Sequence, residues 1–313
     1  MSFKAPSVRR RIIFPKAPTM PLTDFVRYLN AQHPLPASGL RSTTPFVSED
    51  GRVCVHFANL RLESAYAPIV DTASGELRGH AAELHAVGLR TRQPLGADAV
   101  FVLPSDDEEF VYLDRLVRTL HALNYLTYLN RHSRGKLLLK VHPRHVASVA
   151  ADHGLAFEEI LRACGLLPEQ ITLELEIGEI ADTGEANGNT VGGDEAAAHL
   201  VRAIANYKSR GYGIAVGRFG RRAGSLERDF GLLREIRPDI VKLDPLLLAA
   251  EQPLPALVER LHALGAPVMV EGLDTAHLRK DARASGIDLL QVHPPLRRLL
   301  HADVGGPAQS AAA

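Results

Sequence analysis

Along most of the chain, short apolar runs bounded by turn residues alternate with amphipathic stretches of helical length, the pattern of repeated β-α units. Six runs read as strands: Lys136 to Val141, Ile171 to Ile177, Tyr212 to Arg218, Asp239 to Leu243, Pro267 to Glu271 and Asp288 to Val292. Two more, Ala65 to Asp71 and Leu77 to Leu84, flank a turn at Thr72 to Gly75. That link is too short for a parallel crossover, so these two pair antiparallel before the parallel repeats begin. Eight such strands predict an α/β fold, a modified (β/α)8 TIM-like barrel with an antiparallel first strand. An open doubly wound sheet is the alternative, but no Gly-rich phosphate turn follows any strand to support it.

Residues 1–62, rich in Pro, Ser, Thr and Arg, read as an N-terminal extension with one helix, Leu22 to Ala31, and one strand, Val53 to Ala58. The barrel domain is expected over 63–301, and a disordered tail over 302–313. Asp182 to Asp194 lacks periodicity and reads as a rim loop before a helix from Glu195 to Ser209. Leu113, Leu116, Leu120, Leu123 and Leu126 fall on one helical stripe facing the core. The acidic run Asp106 to Glu109 complements that helix's N-terminus. In His142-Pro143-Arg144-His145 the proline marks a helix start, which outweighs a metal-binding histidine pair.

Composition narrows the partners. Lys plus Arg and Asp plus Glu are 36 each, so no bulk charge attracts nucleic acid or an anionic membrane. With 46% apolar and 23% charged residues, the chain is not wholly disordered. No stretch approaches the roughly 20 apolar residues of a bilayer span, and Ile12 to Phe14 is too short for a signal-peptide core, so a cytoplasmic protein is expected. Cys54 and Cys164 form no C-x-x-C pattern, which fits a reducing compartment and argues against thiolate zinc. The Arg9 to Arg11 cluster is assigned no function.

In a β/α barrel, functional groups come from the C-terminal ends of the strands. Those ends offer Lys140, Glu176, Arg218, Lys242, Glu271 and Gln291. Convergence of six polar groups from six strands points to a site rather than to scattered rim salt bridges.

The segments around these residues, taken in order, resemble a known family. They are Ala67-Pro68-Ile69-Val70-Asp71, Ser74-Gly75 and Gly79-His80-Ala81-Ala82-Glu83-Leu84-His85; then Leu139 to Arg144, Leu175 to Glu179, Ile214 to Gly220, Pro238 to Asp244, Val270 to Asp274 and Gln291 to His293. Over about residues 62 to 300 the chain is similar to the EAL domain, a modified barrel that hydrolyses the bacterial second messenger cyclic di-GMP with two divalent metal ions. The resemblance places Ala81 at the signature glutamate that ligates metal and His85 at an arginine that holds a ligand phosphate. Lys140 falls at a metal-binding asparagine, and Gly217 and Arg218 at two aspartates that help bridge the metals. Glu176, Lys242, Glu271 and Gln291 are retained, while Glu83 is out of register with the missing glutamate.

Over the eight matched positions the family pattern sums to −4, whereas Ala81, Lys140, Glu176, Gly217, Arg218, Lys242, Glu271 and Gln291 sum to +1. Two carboxylates then face three cations, a poor setting for a divalent ion that needs about six oxygen ligands. The resemblance therefore implies a protein that is no enzyme, with no metal and no cofactor, in which Lys140 and Arg218 pair with Glu176 and Glu271. The leading expectation is a catalytically degenerate regulatory protein of cyclic di-GMP signalling, acting without hydrolysis through contact with an unidentified regulatory protein. The alternative is a receptor that binds cyclic di-GMP through Lys140, Arg218, Arg221, Arg222, Lys242 and Glu271, although Ala67 and His85 replace polar groups that hold the nucleotide. A residual phosphodiesterase comes last. Nucleic acid is not indicated, and homodimerisation is left open.

Overall fold

A computed structural model describes residues 22–32, 44–132, 135–149, 154–177, 190–221, 224–248, 254–273 and 275–293. Arg9 to Arg11, Arg222 and the expected tail lie outside them, as does the loop from Asp182 up to residue 189. The chain opens with α1 (Leu22–Gln32), β1 (Phe46–Glu49) and β2 (Arg52–Phe57). A long hairpin, β3 (Leu60–Asp71) and β4 (Leu77–Gly88), leads to β5 (Pro94–Leu95), α2 (Ala97–Phe101) and α3 (Asp107–His132). Strands and helices then alternate: β6 (Lys136–Val141), α4 (Pro143–Ser148), α5 (Leu155–Cys164), β7 (Ile171–Glu176), α6 (Thr190–Ser209), β8 (Gly213–Phe219), α7 (Leu226–Ile236), β9 (Ile240–Leu243), α8 (Leu254–His262), β10 (Val268–Leu273), α9 (Ala276–Ala284) and β11 (Leu289–His293).

Eight strands run in the order β3, β11, β10, β9, β8, β7, β6 and β4, and the β3–β4 pairing closes the barrel. β3 is antiparallel to both its neighbours, and every other pair in the ring is parallel. Closure excludes the open doubly wound sheet. The hairpin turn is held by Asp71, whose Oδ1 accepts from the backbone N–H groups of Ala73 (3.0 Å) and Ser74 (2.8 Å), with Gly75 left-handed at φ +73°.

Strand alternation sorts the side chains. Leu137, Leu139, Leu173, Leu175, Ile214, Val216, Val241, Val268 and Val270 face outward into the main core under the helices. The barrel interior holds a small cluster of Ala67, Ile69, Ala81, Leu138, Ala215 and Met269. A separate core joins α1 and the first strands to α3: Phe25, Leu29, Phe46, Val55 and Phe57 pack with Leu113, Leu116, Leu120 and Leu123. The leucine stripe is thus core, as its spacing predicts; the Leu126 side chain lies outside the described residues. β1 and β2 extend the barrel sheet outward from β3.

Other local expectations hold. Pro143 begins α4, and the preceding His142 caps it by accepting from the backbone N–H of Arg144. Asp106 Oδ1 accepts from the N–H of Glu109 (2.8 Å), so the acidic run caps α3. The helix after the rim loop starts at Thr190, five residues before the expected Glu195.

Candidate functional site

The inner faces of the strands carry the site. Inward positions read Ala81 and Glu83 on β4, Leu138 and Lys140 on β6, Glu174 and Glu176 on β7, Ala215 and Gly217 on β8, Lys242 on β9, Glu271 on β10, and Gln291 and His293 on β11. A cavity of about 360 Å³ opens there, at the C-terminal ends of the parallel strands. β4 pairs with β6 only from Gly79 to Ala81, then follows β3 as far as Gly88. The cavity therefore reaches sideways past β4 to Phe101 on α2 and to Val117 and His121 on α3.

Glu176 is 4% exposed and draws both rim cations: Lys140 Nζ lies 2.5 Å and Arg218 Nε 3.4 Å from its Oε1. Neither contact has hydrogen-bond geometry, so that oxygen accepts no hydrogen bond among the described residues. Arg218 belongs to the outward parity of β8 and reaches the mouth because its backbone is left-handed, φ +49°, at an irregularity between Val216 and Phe219. Glu271 takes a different partner from the expected one. Lys242 Nζ stands 2.6 Å from Glu271 Oε2 and 3.3 Å from both oxygens of Glu174. Burial pushes the Lys242 ammonium towards neutrality, but the Glu174 and Glu271 carboxylates outweigh it and hold the pKa above the usual lysine value. Burial likewise raises the Glu271 carboxyl, and Lys242 outweighs it, so its pKa falls below the usual range.

Sequence reasoning set Glu83 aside as out of register and missed Glu174 and His293. Glu174, Glu83 and His293 stand two residues from Glu176, Ala81 and Gln291, so strand alternation alone puts each inside the mouth. Glu83 Oε1 lies 2.8 Å from His293 Nδ1 and 3.4 Å from Gln291 Nε2. The Glu83 hydrogen bond raises the His293 pKa against the opposing effect of burial. His121 was also missed: its Nδ1 meets Ser64 Oγ at 2.8 Å, and burial holds its pKa down at about 3, so the ring is neutral at ordinary pH. Gln291 is 3% exposed, and its Oε1 has no hydrogen-bond donor among the described residues. Arg221 is exposed on the rim.

The eight matched positions alone give +1, but the inner mouth as a whole is not cationic. On the strands, four carboxylates, Glu83, Glu174, Glu176 and Glu271, face three cations, Lys140, Arg218 and Lys242; Asp98 on α2 and Asp114, paired with Arg118, also line the cavity. The balance of the strand groups alone is −1 with His293 neutral and zero with it protonated. A divalent metal pair does not fit these residues. The Glu176 oxygen that would ligate one ion carries Lys140 at 2.5 Å, the Lys242 ammonium sits between Glu174 and Glu271, and Ala81 and Gly217 offer no ligand atom. Among the described residues no group of three or more His, Cys, Asp or Glu is arranged to hold an ion.

Beside the cavity lies a buried charged knot. Arg118 donates to Asp114 Oδ2 from Nε (3.0 Å) and Nη2 (2.7 Å), and His145 Nδ1 lies 3.1 Å from the same oxygen. Asp114 and Arg118 are each 2% exposed, and the guanidinium sits 5.0 Å from the Phe157 ring centroid. The knot ties α3 to α4 and α5. It accounts for His145, which is no metal ligand here.

A closed mixed barrel with charged groups gathered at its strand C-termini defines the class of the protein, and comparison with known proteins gives the family. The EAL domain model matches residues 53–291, and the chain belongs to that family. Among solved structures, the Klebsiella pneumoniae BlrP1 calcium and cyclic di-GMP complex has TM-score 0.57 at 20% identity, over 74% of this chain and 54% of that one. The PaMucR phosphodiesterase in complex with c-di-GMP has TM-score 0.57 at 18% identity, over 74% and 89%. The Xanthomonas citri FimX EAL domain with c-di-GMP has TM-score 0.55 at 16% identity, over 74% and 85%. These likenesses establish the fold; this chain spans about half of the BlrP1 chain. Comparison with curated proteins finds no match.

Family membership corrects one expectation drawn from the substitutions. The chain was expected to be no enzyme, yet it belongs to the EAL domain family and its fold is shared by a structure solved as a phosphodiesterase, and nothing among the described residues shows that activity is lost. No described helix is long and apolar enough to cross a membrane.

Proposed function

We propose that this chain is a regulatory protein of bacterial cyclic di-GMP signalling that takes the nucleotide at its barrel mouth and passes the signal on by contact with another protein. One observation carries the reading. A buried acceptor, Gln291 Oε1, borders the cavity with no hydrogen-bond donor among the described residues, and Glu176 Oε1 is met only by the two half-exposed rim cations. A buried acceptor without a donor costs about 1–3 kcal/mol. Guanine supplies N–H donors along one edge, and its phosphates suit Lys140 and Arg218, whose side chains are 46% and 37% exposed and free to exchange a carboxylate for a phosphate. The solved relatives were captured with the same nucleotide. Arg221, exposed on the rim, adds charge from the β8–α7 loop. The reading places the work in a domain over 63–301, in the cytoplasm.

A titration with fluorescent cyclic di-GMP tests this. Saturable binding, weakened by Gln291→Ala and by the Arg221→Glu, Arg222→Glu double variant, is the expected result. Binding indifferent to all three changes would place the nucleotide elsewhere.

A second reading, contact with a protein partner alone, is favoured by the internal pairing of every inner cation: Lys140 and Arg218 with Glu176, Lys242 with Glu174 and Glu271. Under it the rim variants leave a partner complex intact, and no nucleotide binds.

A further inference from the structure

Glu83 stands on the inner face of β4, two residues beyond Ala81. β3 lies between β4 and β11 in the barrel wall, and its inner face carries Ala65 opposite Glu83 and Ala67 opposite Ala81. With alanine at positions 65, 67 and 81, only methyl groups stand along this seam. Glu83 and His293 therefore meet across β3, at 2.8 Å, and Gln291 Nε2 joins them at 3.4 Å. The pair is accessible from the cavity, since each side chain is 30% exposed. A longer side chain at Ala67 would stand between them.

We propose that Glu83 is a specificity-determining residue of the mouth: a tethered counter-anion that holds His293 and Gln291 to itself and restrains the entry of phosphate-bearing ligands. The proposal deepens the nucleotide-binding reading and rests on it. Its warrant is the arrangement of charge. Glu174 and Glu271 are both committed to Lys242, and Glu176 faces Lys140 and Arg218. Glu83 alone among the four acids has no Lys or Arg against it within the described residues; its partners are an imidazole and an amide. With it the strand groups sum to −1, and an incoming phosphate meets that charge unless His293 is protonated. The restraint is local because Ala65, Ala67 and Ala81 leave no other polar side chain on that seam.

The test compares Glu83→Gln, which keeps the shape and removes the charge, with Glu83→Asp, which keeps the charge. Each variant's unfolding midpoint is checked first. Cyclic di-GMP and inorganic pyrophosphate are then titrated into both variants and the unmodified chain at low and high salt, at an alkaline pH where His293 is neutral in each. Removing one unit charge beside a phosphate in a partly exposed site is expected to tighten Glu83→Gln about tenfold, with the gain shrinking as salt rises, and to leave Glu83→Asp near the unmodified affinity. If the unmodified chain binds and Glu83→Gln binds no tighter, Glu83 is not the restraint and the nucleotide reading stands. If only Glu83→Gln binds, the restraint is real and the unmodified chain is no nucleotide receptor. If neither binds either probe, both ideas fall.

Discussion

Gly217 and Glu174 compete for one volume: a Cβ built on Gly217 would lie 2.6 Å from Glu174 Oε1 and 3.1 Å from its Cγ. The glycine on β8 and the acid on neighbouring β7 are a matched pair. Glu174 reaches Lys242 through the space that a side chain at 217 would fill. The absence of an aspartate at Gly217 is therefore tied to a residue one strand away.

That relationship predicts a coupling. Gly217→Ala requires the Glu174 carboxylate to shift against Lys242 and is expected to cost about 1 kcal/mol, the low end for overpacking, because the atom that must move ends a flexible side chain beside a cavity. In a Glu174→Ala background the same change is expected to cost much less. A double-mutant cycle on urea midpoints measures the difference, and additive effects would contradict the shared volume.

Arg218 offers a separation of stability from binding. Its left-handed backbone suits glycine, so Arg218→Gly should leave the unfolding midpoint unchanged or slightly raised. The same variant loses a rim cation and is expected to bind cyclic di-GMP at least several-fold more weakly. A large drop in midpoint would instead make the Arg218–Glu176 contact a structural tie.

The buried knot on α3 behaves differently from the rim. Arg118→Ala leaves Asp114 charged and buried, and breaking such a pair typically costs about 3–5 kcal/mol. Lys140→Ala removes a partner that is nearly half exposed, and its cost is expected to be about 1 kcal/mol or less. Equal losses in thermal or urea unfolding would refute the contrast.

Acid should weaken the fold through His121. Its folded pKa is held at about 3 by burial, against 6.5 when exposed, so the unfolded chain binds the extra proton between those values. Stability from this group is full above about pH 6.5 and declines by about 1.4 kcal/mol per pH unit on the way down to 3. His293, whose pKa is raised, acts in the opposite sense: its contribution is present at low pH and fades as pH rises through its folded value. Urea midpoints from pH 7 to pH 5 should therefore fall less steeply for His121→Gln than for the unmodified chain.

Much of this was legible in the sequence because strand alternation is a strict rule. Lys140, Glu176, Lys242, Glu271 and Gln291 all face the mouth, as strand ends and family spacing predict. The same rule placed Glu83, Glu174 and His293 inside, but they match no family position and were passed over. Which acid would meet which cation was not legible: Lys242 takes Glu271 because they stand on neighbouring strands, while Lys140 and Arg218 flank Glu176 from either side. β1 and β5, four and two residues long, are too short to carry a period of their own. His121 lies on a helix whose stripe reads as core, and only the departure of β4 from β6 opens the cavity to it.

The most direct test is a calorimetric titration of the chain with cyclic di-GMP in EDTA, repeated with magnesium. The account predicts saturable binding of similar affinity in both, weakened by salt and abolished by Arg218→Glu. Binding that appears only with magnesium, or no binding in either, would contradict it.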